Sequence, residues 1–191
     1  KKGGIRCLMK LLKQKDSSCP SIKAQGAAIR ALTSLAITSA AIAKEMVSEG
    51  YVRELAKLLE VGSSDVRLAS ALAIGSLSSY IDLKKELCET GCITSLTNML
   101  ESKEASHHEA ATQALSTLLL ANRNRKEFGT DERGILRLVR LIDPRRSSLV
   151  AKRLPMSALL AFLSATSAHR KRIMSGSFLS STSTQLEKLA G

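Results

Sequence analysis

One apolar spacing recurs four times along the 191-residue chain. Its clearest copy places Val52, Leu55, Leu58 and Leu59 at two, five, eight and nine residues after Gly50. Apolar residues three or four apart lie on one face of an α-helix. The other copies are Gly3 with Ile5, Leu8, Leu11 and Leu12; Gly91 with Ile93, Leu96, Met99 and Leu100; and Ile135, Leu138, Leu141 and Ile142. In the last copy Arg133 occupies the glycine position and Gly134 comes one place late, so the glycine positions are spaced by 47, 41 and 42 residues.

Each copy continues through a polar break into a second, longer helical pattern. These patterns span 28–36, 71–79, 112–120 and 157–165, with terminal leucines assigned to Leu35, Leu77, Leu118 and Leu163. A short helical pattern precedes each following glycine position, over 42–49, 83–90 and 124–130, with a last one over 168–175. A period of ~40–47 residues with two or three helices per unit is typical of α-solenoids. The chain is therefore predicted to be all-α.

The unit Gly-x-Ile/Val-x-x-Leu-x-x-Leu-Leu, followed by Ala-Leu-x-x-Leu, resembles the armadillo repeat family over residues 3 to about 175. The resemblance implies a right-handed α–α superhelix of about four repeats, bounded near 3–49, 50–90, 91–132 and 133–175. Residues 176–191 are predicted to form a degenerate terminal cap, because an end unit needs a polar outer face. We expect residues 1–191 to be a single domain that belongs to a longer chain.

Composition agrees with an array of closely packed helices. Aromatic residues are only 3% of the chain and tryptophan is absent, whereas sheets favour aromatic and β-branched side chains. No run approaches the ~20 apolar residues that span a bilayer, so no transmembrane segment is predicted. The four cysteines, at positions 7, 19, 88 and 92, form no CxxC pair and complete no zinc spacing with the histidines. Unpaired thiols indicate a reducing compartment, hence a cytoplasmic or nuclear protein, and neither a metal nor a cofactor is expected.

Local signals predict several helix starts. Ser106 and Glu109 have the spacing of a capping box, and Ser64 with Asp65 predicts a cap and a negative charge at a helix N-terminus. Pro155 lies within the fourth long pattern, so that helix either begins near Arg153 or is kinked. His107 and His108 are expected to be an exposed pair whose side chains point about 100° apart, too divergent to share one metal.

The armadillo resemblance also suggests a partner-binding groove on the longer helices. In importin-α and β-catenin, an asparagine before the terminal leucine clamps the backbone of an extended peptide, and importin-α adds a tryptophan four residues earlier. Here the asparagine positions hold Ser34, Ser76, Thr117 and Phe162, and the tryptophan positions hold Arg30, Leu72, Gln113 and Ala158. A hydroxyl cannot donate and accept along a backbone as an amide does, which argues against the importin mode. The predicted groove residues are Arg30, Ser34, Leu72, Ser76, Gln113 and Thr117.

The Ser- and Ala-rich repeats and the segment GILRLVRLIDPRR (134–146) look most like the plant armadillo proteins that often follow a U-box. In that family the armadillo region recognises substrate or regulator proteins, and the U-box supplies the ubiquitin-ligase activity. No U-box and no HExxH, GxSxG or phosphate-binding glycine motif occurs in these residues. The resemblance therefore implies a non-catalytic scaffold that recognises a protein and takes no small-molecule substrate.

The net charge of +12 is uneven. Residues 1–120 hold 15 basic and 12 acidic residues, whereas residues 121–172 hold 13 and 4. One interpretation is a solvated outer face on which some arginines pair with acidic residues of neighbouring units. The others are a landing site for an acidic protein segment, or a nucleic-acid or anionic-membrane surface over 122–172. Stacking aromatics are sparse there, which weakens the nucleic-acid hypothesis. The candidate basic patch is Arg137, Arg140, Arg145, Arg146, Arg170, Lys171 and Arg172.

Overall fold

The architecture is helical throughout the part of the chain that the computed structural model describes, which is residues 2–13, 19–80, 87, 89–142 and 153–163. The helices in that part are α1 Lys2–Lys13, α2 Cys19–Thr38, α3 Ala40–Ser48, α4 Tyr51–Val61, α5 Ser64–Leu77, α6 Cys92–Met99, α7 Ala105–Leu118, α8 Asn122–Thr130, α9 Glu132–Ile142 and α10 Arg153–Leu163. No strand occurs among these residues. The predicted all-α class is confirmed.

Eight of the described helices form two layers, and the short helices α3 and α8 belong to neither layer. Helices α2, α5, α7 and α10, which we call the ladder helices, each pack against the next one along the chain. Helices α1, α4, α6 and α9 pack in the same order, and each also packs on the ladder helix that follows it. Each unit thus buries its apolar face against its neighbours, as in a solenoid.

The buried residues of the first three ladder helices recur with a strict period of 41 residues. Leu77 of α5 lies 41 residues after Ala36 of α2 and 41 residues before Leu118 of α7, and all three are buried. The pairs Ala73 and Ala114, and Ala69 and Ala110, obey the same offset. The assignment of Leu35 as the first terminal leucine was therefore wrong by one residue, because Ala36 occupies the buried position.

Glycine makes the turn between units at two of the predicted positions. Gly50 and Gly91 have φ angles of 86° and 67°, in the left-handed region that a residue without Cβ adopts readily. The first and fourth copies differ. Gly3 lies inside α1, and α9 begins after Asp131, whose Oδ1 accepts a hydrogen bond of 2.9 Å from the Gly134 amide.

Two predicted helix caps are wrong. Helix α7 begins at Ala105 after Glu104, so Ser106 is already inside the helix and no capping box forms. Helix α5 begins at Ser64 itself, although the negative charge predicted for its first turn is present as Asp65. The first of the two outcomes predicted for Pro155 is confirmed, since α10 begins at Arg153.

Small residues let the ladder helices approach one another. A Cβ built on Gly75 of α5 would lie 3.6 Å from the Cα and backbone nitrogen of Ala114 in α7.

The thiol of Cys92 is buried, with Sγ 3.4 Å from the Leu87 carbonyl, and that of Cys7 is exposed. Among the described helices, none is long and apolar enough to cross a bilayer.

Candidate partner-binding surface

The register of the buried residues places two sets of equivalent side chains along the ladder helices. In α10 the buried Ala158 and Phe162 match Ala114 and Leu118 at an offset of 44 residues, which extends the register to the fourth ladder helix. The first row is then Ala31, Leu72, Gln113 and Ser157, and the second row is Leu35, Ser76, Thr117 and Ala161.

The first row lies at the surface in every ladder helix, and Leu72 is 46% exposed. The second row sits deeper. Leu35 is 37% exposed, Ser76 and Thr117 are half-buried, and Ala161 is buried. Neither row contains a charged side chain, and the two leucines give the α2–α5 part an apolar character. A ligand on this surface would be recognised by apolar contact and neutral hydrogen bonds.

The hydroxyls of the second row bond within the chain. Ser76 Oγ donates to the Leu72 carbonyl at 3.0 Å. Thr117 Oγ1 lies 3.1 Å from the Gln113 carbonyl and accepts a 2.7 Å bond from Ser78 Oγ of the preceding unit. Gln113 is exposed and has an amide that both donates and accepts. It is the one side chain in the two rows with the chemistry of the asparagine clamps.

Two of the predicted groove residues, Arg30 and Ser34, do not belong to these rows, and neither do Ala158 and Phe162, which occupy the clamp positions of the fourth unit. Arg30 and Ser34 are exposed, but they lie one residue out of register with Leu72 and Ser76, which is a rotation of about 100° around a helix. Ala158 and Phe162 belong to the core. The Phe162 ring packs edge-on against that of Phe128, with centroids 5.2 Å apart.

The candidate basic patch is partly neutralised by the chain itself. Arg137 of α9 pairs with the Glu101 carboxylate, and its Nη1 donates to Asn98 Oδ1 at 3.0 Å and to the Thr97 carbonyl at 3.3 Å. Arg137 thus joins α9 to α6 and the segment after it, as the interpretation of arginines paired between units predicts. Arg140 is half-buried. The other patch residues, Arg145, Arg146, Arg170, Lys171 and Arg172, lie outside the described residues.

A second arginine of the basic segment is also used internally. Arg125 is buried, and its Nη1 donates to the carbonyls of Leu119 and Leu120 at 2.9 and 2.8 Å. These carbonyls end α7, where a cation is stabilised by the helix dipole. The guanidinium therefore holds α8 against the end of the preceding ladder helix.

An open cleft of about 780 Å³ lies between the starts of α7 and α10 and the α9 face, with Glu101, His108 and Arg140 among its walls. His108 Nε2 is 2.6 Å from the Ser102 carbonyl. No group of three His, Cys, Asp or Glu side chains in the described part of the chain could hold a metal ion.

His107 is a buried contact residue between helices that the sequence pattern did not indicate. It was expected to be exposed, but it is only 4% exposed. Its Nε2 is 3.1 Å from Ser64 Oγ of α5 and its Nδ1 is 3.0 Å from Glu104 Oε2. The signal that could have found it is the 41-residue period, since His107 occupies the position of the buried Val66.

No protein-family model matches the chain, and no curated protein matches it. Solved structures do match. A crystal structure of an engineered protein from the Northeast Structural Genomics Consortium has a TM-score of 0.77 at 25% identity, covering 92% of this chain and 68% of its own. A designed armadillo repeat protein in complex with the peptide (KR)4 has a TM-score of 0.74 at 19% identity, with coverages of 91% and 71%.

A computationally designed armadillo repeat protein for modular peptide recognition also matches, with a TM-score of 0.69 at 22% identity. It covers 81% of this chain, and the chain spans 63% of its length. These matches agree with the helical architecture of the described residues. The chain therefore has the fold of the armadillo-repeat solenoids.

Proposed function

We propose that the chain is a non-catalytic scaffold that binds a protein partner through the two rows on its ladder helices. The observation that carries the proposal is the continuous exposed first row, repeated once per unit across four helices. A surface with one equivalent position per repeat suits an extended segment whose residues also repeat at a regular spacing. The likeness to designs made for peptide recognition supports the same use of the fold.

The ligand is expected to differ from the (KR)4 peptide of the designed neighbour. The two rows offer no carboxylate to basic side chains, and Lys23 and Arg30 are exposed on a neighbouring face of the same helix, α2. We therefore propose a ligand segment with aliphatic residues for Leu35 and Leu72 and with acidic rather than basic residues around them.

The resemblance to plant armadillo proteins extends the proposal. In this form, the chain is the substrate-recognition part of a U-box ubiquitin ligase in the cytoplasm or nucleus, and any ligase activity belongs to a U-box outside residues 1–191. A ubiquitin-conjugation assay with the natural full-length protein tests this part. Absence of ubiquitin transfer with a panel of conjugating enzymes would refute the ligase role and leave the scaffold role standing.

The nucleic-acid or membrane alternative over 122–172 would rest, within the described residues, on the exposed Arg123, Lys126, Arg133 and Arg153. Arg125 and Arg137 are engaged with the chain's own carbonyls and with Glu101. A phosphate-bearing ligand would have to use the exposed basic residues instead, and binding that falls steeply with salt would support that alternative. We retain the protein-binding scaffold as the proposed function.

Peptide selection from a random dodecamer phage library tests the scaffold. Selected peptides should bind the unaltered chain and lose at least tenfold in affinity for Leu72→Arg, which puts a charge and bulk into the first row. Val61→Arg is the matched control, because Val61 is also an exposed aliphatic residue, at 69%, but lies at the end of α4. Equal binding to both variants would refute the proposed surface.

A further inference from the structure

The open cleft of about 780 Å³ beside α9 has the size and the mixed lining of a small-molecule site. Pockets that bind drug-sized ligands usually enclose about 300–1,000 Å³, with mostly apolar walls and a few polar groups. Here Leu100, Leu141 and Pro155 supply apolar walls, and Thr112 lines the α7 side. Leu100, Thr112 and Pro155 are buried, so packing within the solenoid fixes most of this lining.

The two arginines that line the cleft are engaged differently. Arg137 is bonded to the Glu101 carboxylate and to acceptors on α6. Arg140 lies three residues further along α9 and is half-buried, yet its guanidinium has no hydrogen bond or ion pair with any described residue. Taking a charge out of water is unfavourable unless the charge is paired. An anion in the cleft would supply the partner that Arg140 lacks.

The other polar groups of the cleft leave its positive charge in place. His108 Nε2 is bonded to the Ser102 carbonyl, and Thr112 Oγ1 donates to the His108 carbonyl at 2.6 Å. Glu109 also lines the cleft, but it is exposed, so solvent and salt screen its charge more than that of the half-buried guanidinium. Helices α7 and α10 both begin at the cleft, and the positive ends of their dipoles add to the charge of Arg140.

We propose that this cleft binds a small carboxylic acid with an apolar body. The carboxylate pairs with the Arg140 guanidinium, whose parallel N–H groups match two carboxylate oxygens. The body packs against Leu100, Leu141 and Pro155. The volume suits a compact ligand, whereas an extended peptide segment needs a long groove or a sheet edge. No residue of the two rows lines the cleft, so this inference stands apart from the proposed partner-binding surface.

A leucine-methyl NMR titration with 4-phenylbutyrate tests the site, with the uncharged 4-phenylbutyramide as the matched ligand. The acid should shift the methyl resonances of Leu100 and Leu141 in a saturable way, with a dissociation constant on the order of 1 mM, as a ligand of this size usually shows. The amide should bind at least tenfold more weakly, because it cannot form a charged pair with the guanidinium.

Variants of α9 assign the charge to one side chain. Arg140→Met keeps an apolar stem without the guanidinium and should weaken binding of the acid at least tenfold, and Arg140→Gln serves as a second variant. Arg133→Met is the matched control, because Arg133 is an exposed arginine of the same helix that does not line the cleft, and it should leave the affinity unchanged. Circular dichroism checks that each variant keeps its helix content.

Four results would overturn the inference. The first is the absence of saturable shifts at Leu100 and Leu141 up to the solubility limit of the acid. The second is equal affinity for the acid and the amide, and the third is unaltered binding of the acid in both Arg140 variants. The fourth is tenfold tighter binding of the dipeptide acetyl-Phe-Leu than of 4-phenylbutyrate, which would assign the cleft to the carboxyl terminus of a protein chain.

Discussion

Replacing Gly75 by alanine should stabilise the protein, although the residue is buried between two ladder helices. A glycine in a helix interior costs about 1 kcal/mol relative to alanine. The added methyl group would meet the Cα and nitrogen of Ala114 at 3.6 Å and its Cβ at 3.7 Å, which is ordinary van der Waals contact without overlap. We therefore expect the free energy of unfolding to rise by about 1 kcal/mol and the thermal midpoint by about 2–4 °C.

Urea unfolding followed by circular dichroism at 222 nm measures the change. Gly62→Ala is the matched control of opposite sign. Its Cβ would overlap the Leu58 carbonyl oxygen and lie 2.9 Å from Val66 Cγ1, so the end of α4 would have to open. That control should lose about 1–3 kcal/mol, the usual range for overpacking. A loss of 1 kcal/mol or more in Gly75→Ala would refute the reasoning, because α5 and α7 would then have no room for a methyl group.

Three further substitutions test other contacts. Arg137→Met should lower the free energy of unfolding by about 1–2 kcal/mol because it removes the bonds from α9 to the α6 unit, and urea unfolding that matches the unaltered chain would contradict this role. Gly134→Ala should leave it nearly unchanged in the same assay, because the about 1 kcal/mol that alanine gains over glycine in a helix offsets the displacement of the Asp131 carboxylate that caps α9; a rise as large as that of Gly75→Ala would count against that cap. Burial raises the pKa of Tyr51 above its ordinary value of about 10, so its neutral form favours the fold; the stability it contributes is complete below about pH 10 and is lost as the pH rises further. Unfolding measured from pH 8 to pH 11 should therefore depend less on pH in Tyr51→Phe than in Tyr80→Phe, and equal slopes would contradict the role of Tyr51.

The sequence was sufficient to predict the fold because each helix buries one face. That face requires apolar residues three or four positions apart, and this spacing is visible in the sequence. Gly50 and Gly91 each precede a helix and have positive φ, which a left-handed turn requires its residue to tolerate. In the fourth copy a side-chain cap from Asp131 replaces the glycine turn, and the sequence shows only that Gly134 comes one place late.

The candidate site was predicted less well because it depends on a one-residue register. Leu35 matches the residue type of Leu77 and Leu118, but Ala36 matches their burial. Residue type alone favours the leucine, whereas the packing of α2 on α5 decides for the alanine. The groove residues Arg30 and Ser34 inherited that error.

Contacts between units were also beyond the sequence. His107 lies against Ser64, 43 residues earlier, and Arg137 bonds Thr97 and Asn98 about one unit away. A histidine or an arginine on a helix looks solvated when only its own helix is considered. The number of residues between equivalent positions of neighbouring units determines which side chains meet. That number can be assigned only once the buried positions of each helix are known.

Methyl-resolved NMR with a selected peptide tests the central claim most directly. The 20.5 kDa chain is small enough for isoleucine, leucine and valine methyl spectra. Exposed methyl-bearing residues lie in the two rows, as Leu35 and Leu72 do, and away from them, as Val61 does. Binding through the two rows predicts that the methyl resonances of Leu35 and Leu72 shift on titration and those of Val61 do not. Shifts confined to Val61 and the methyl groups of α9, with Leu35 and Leu72 unmoved, would contradict binding on the ladder helices.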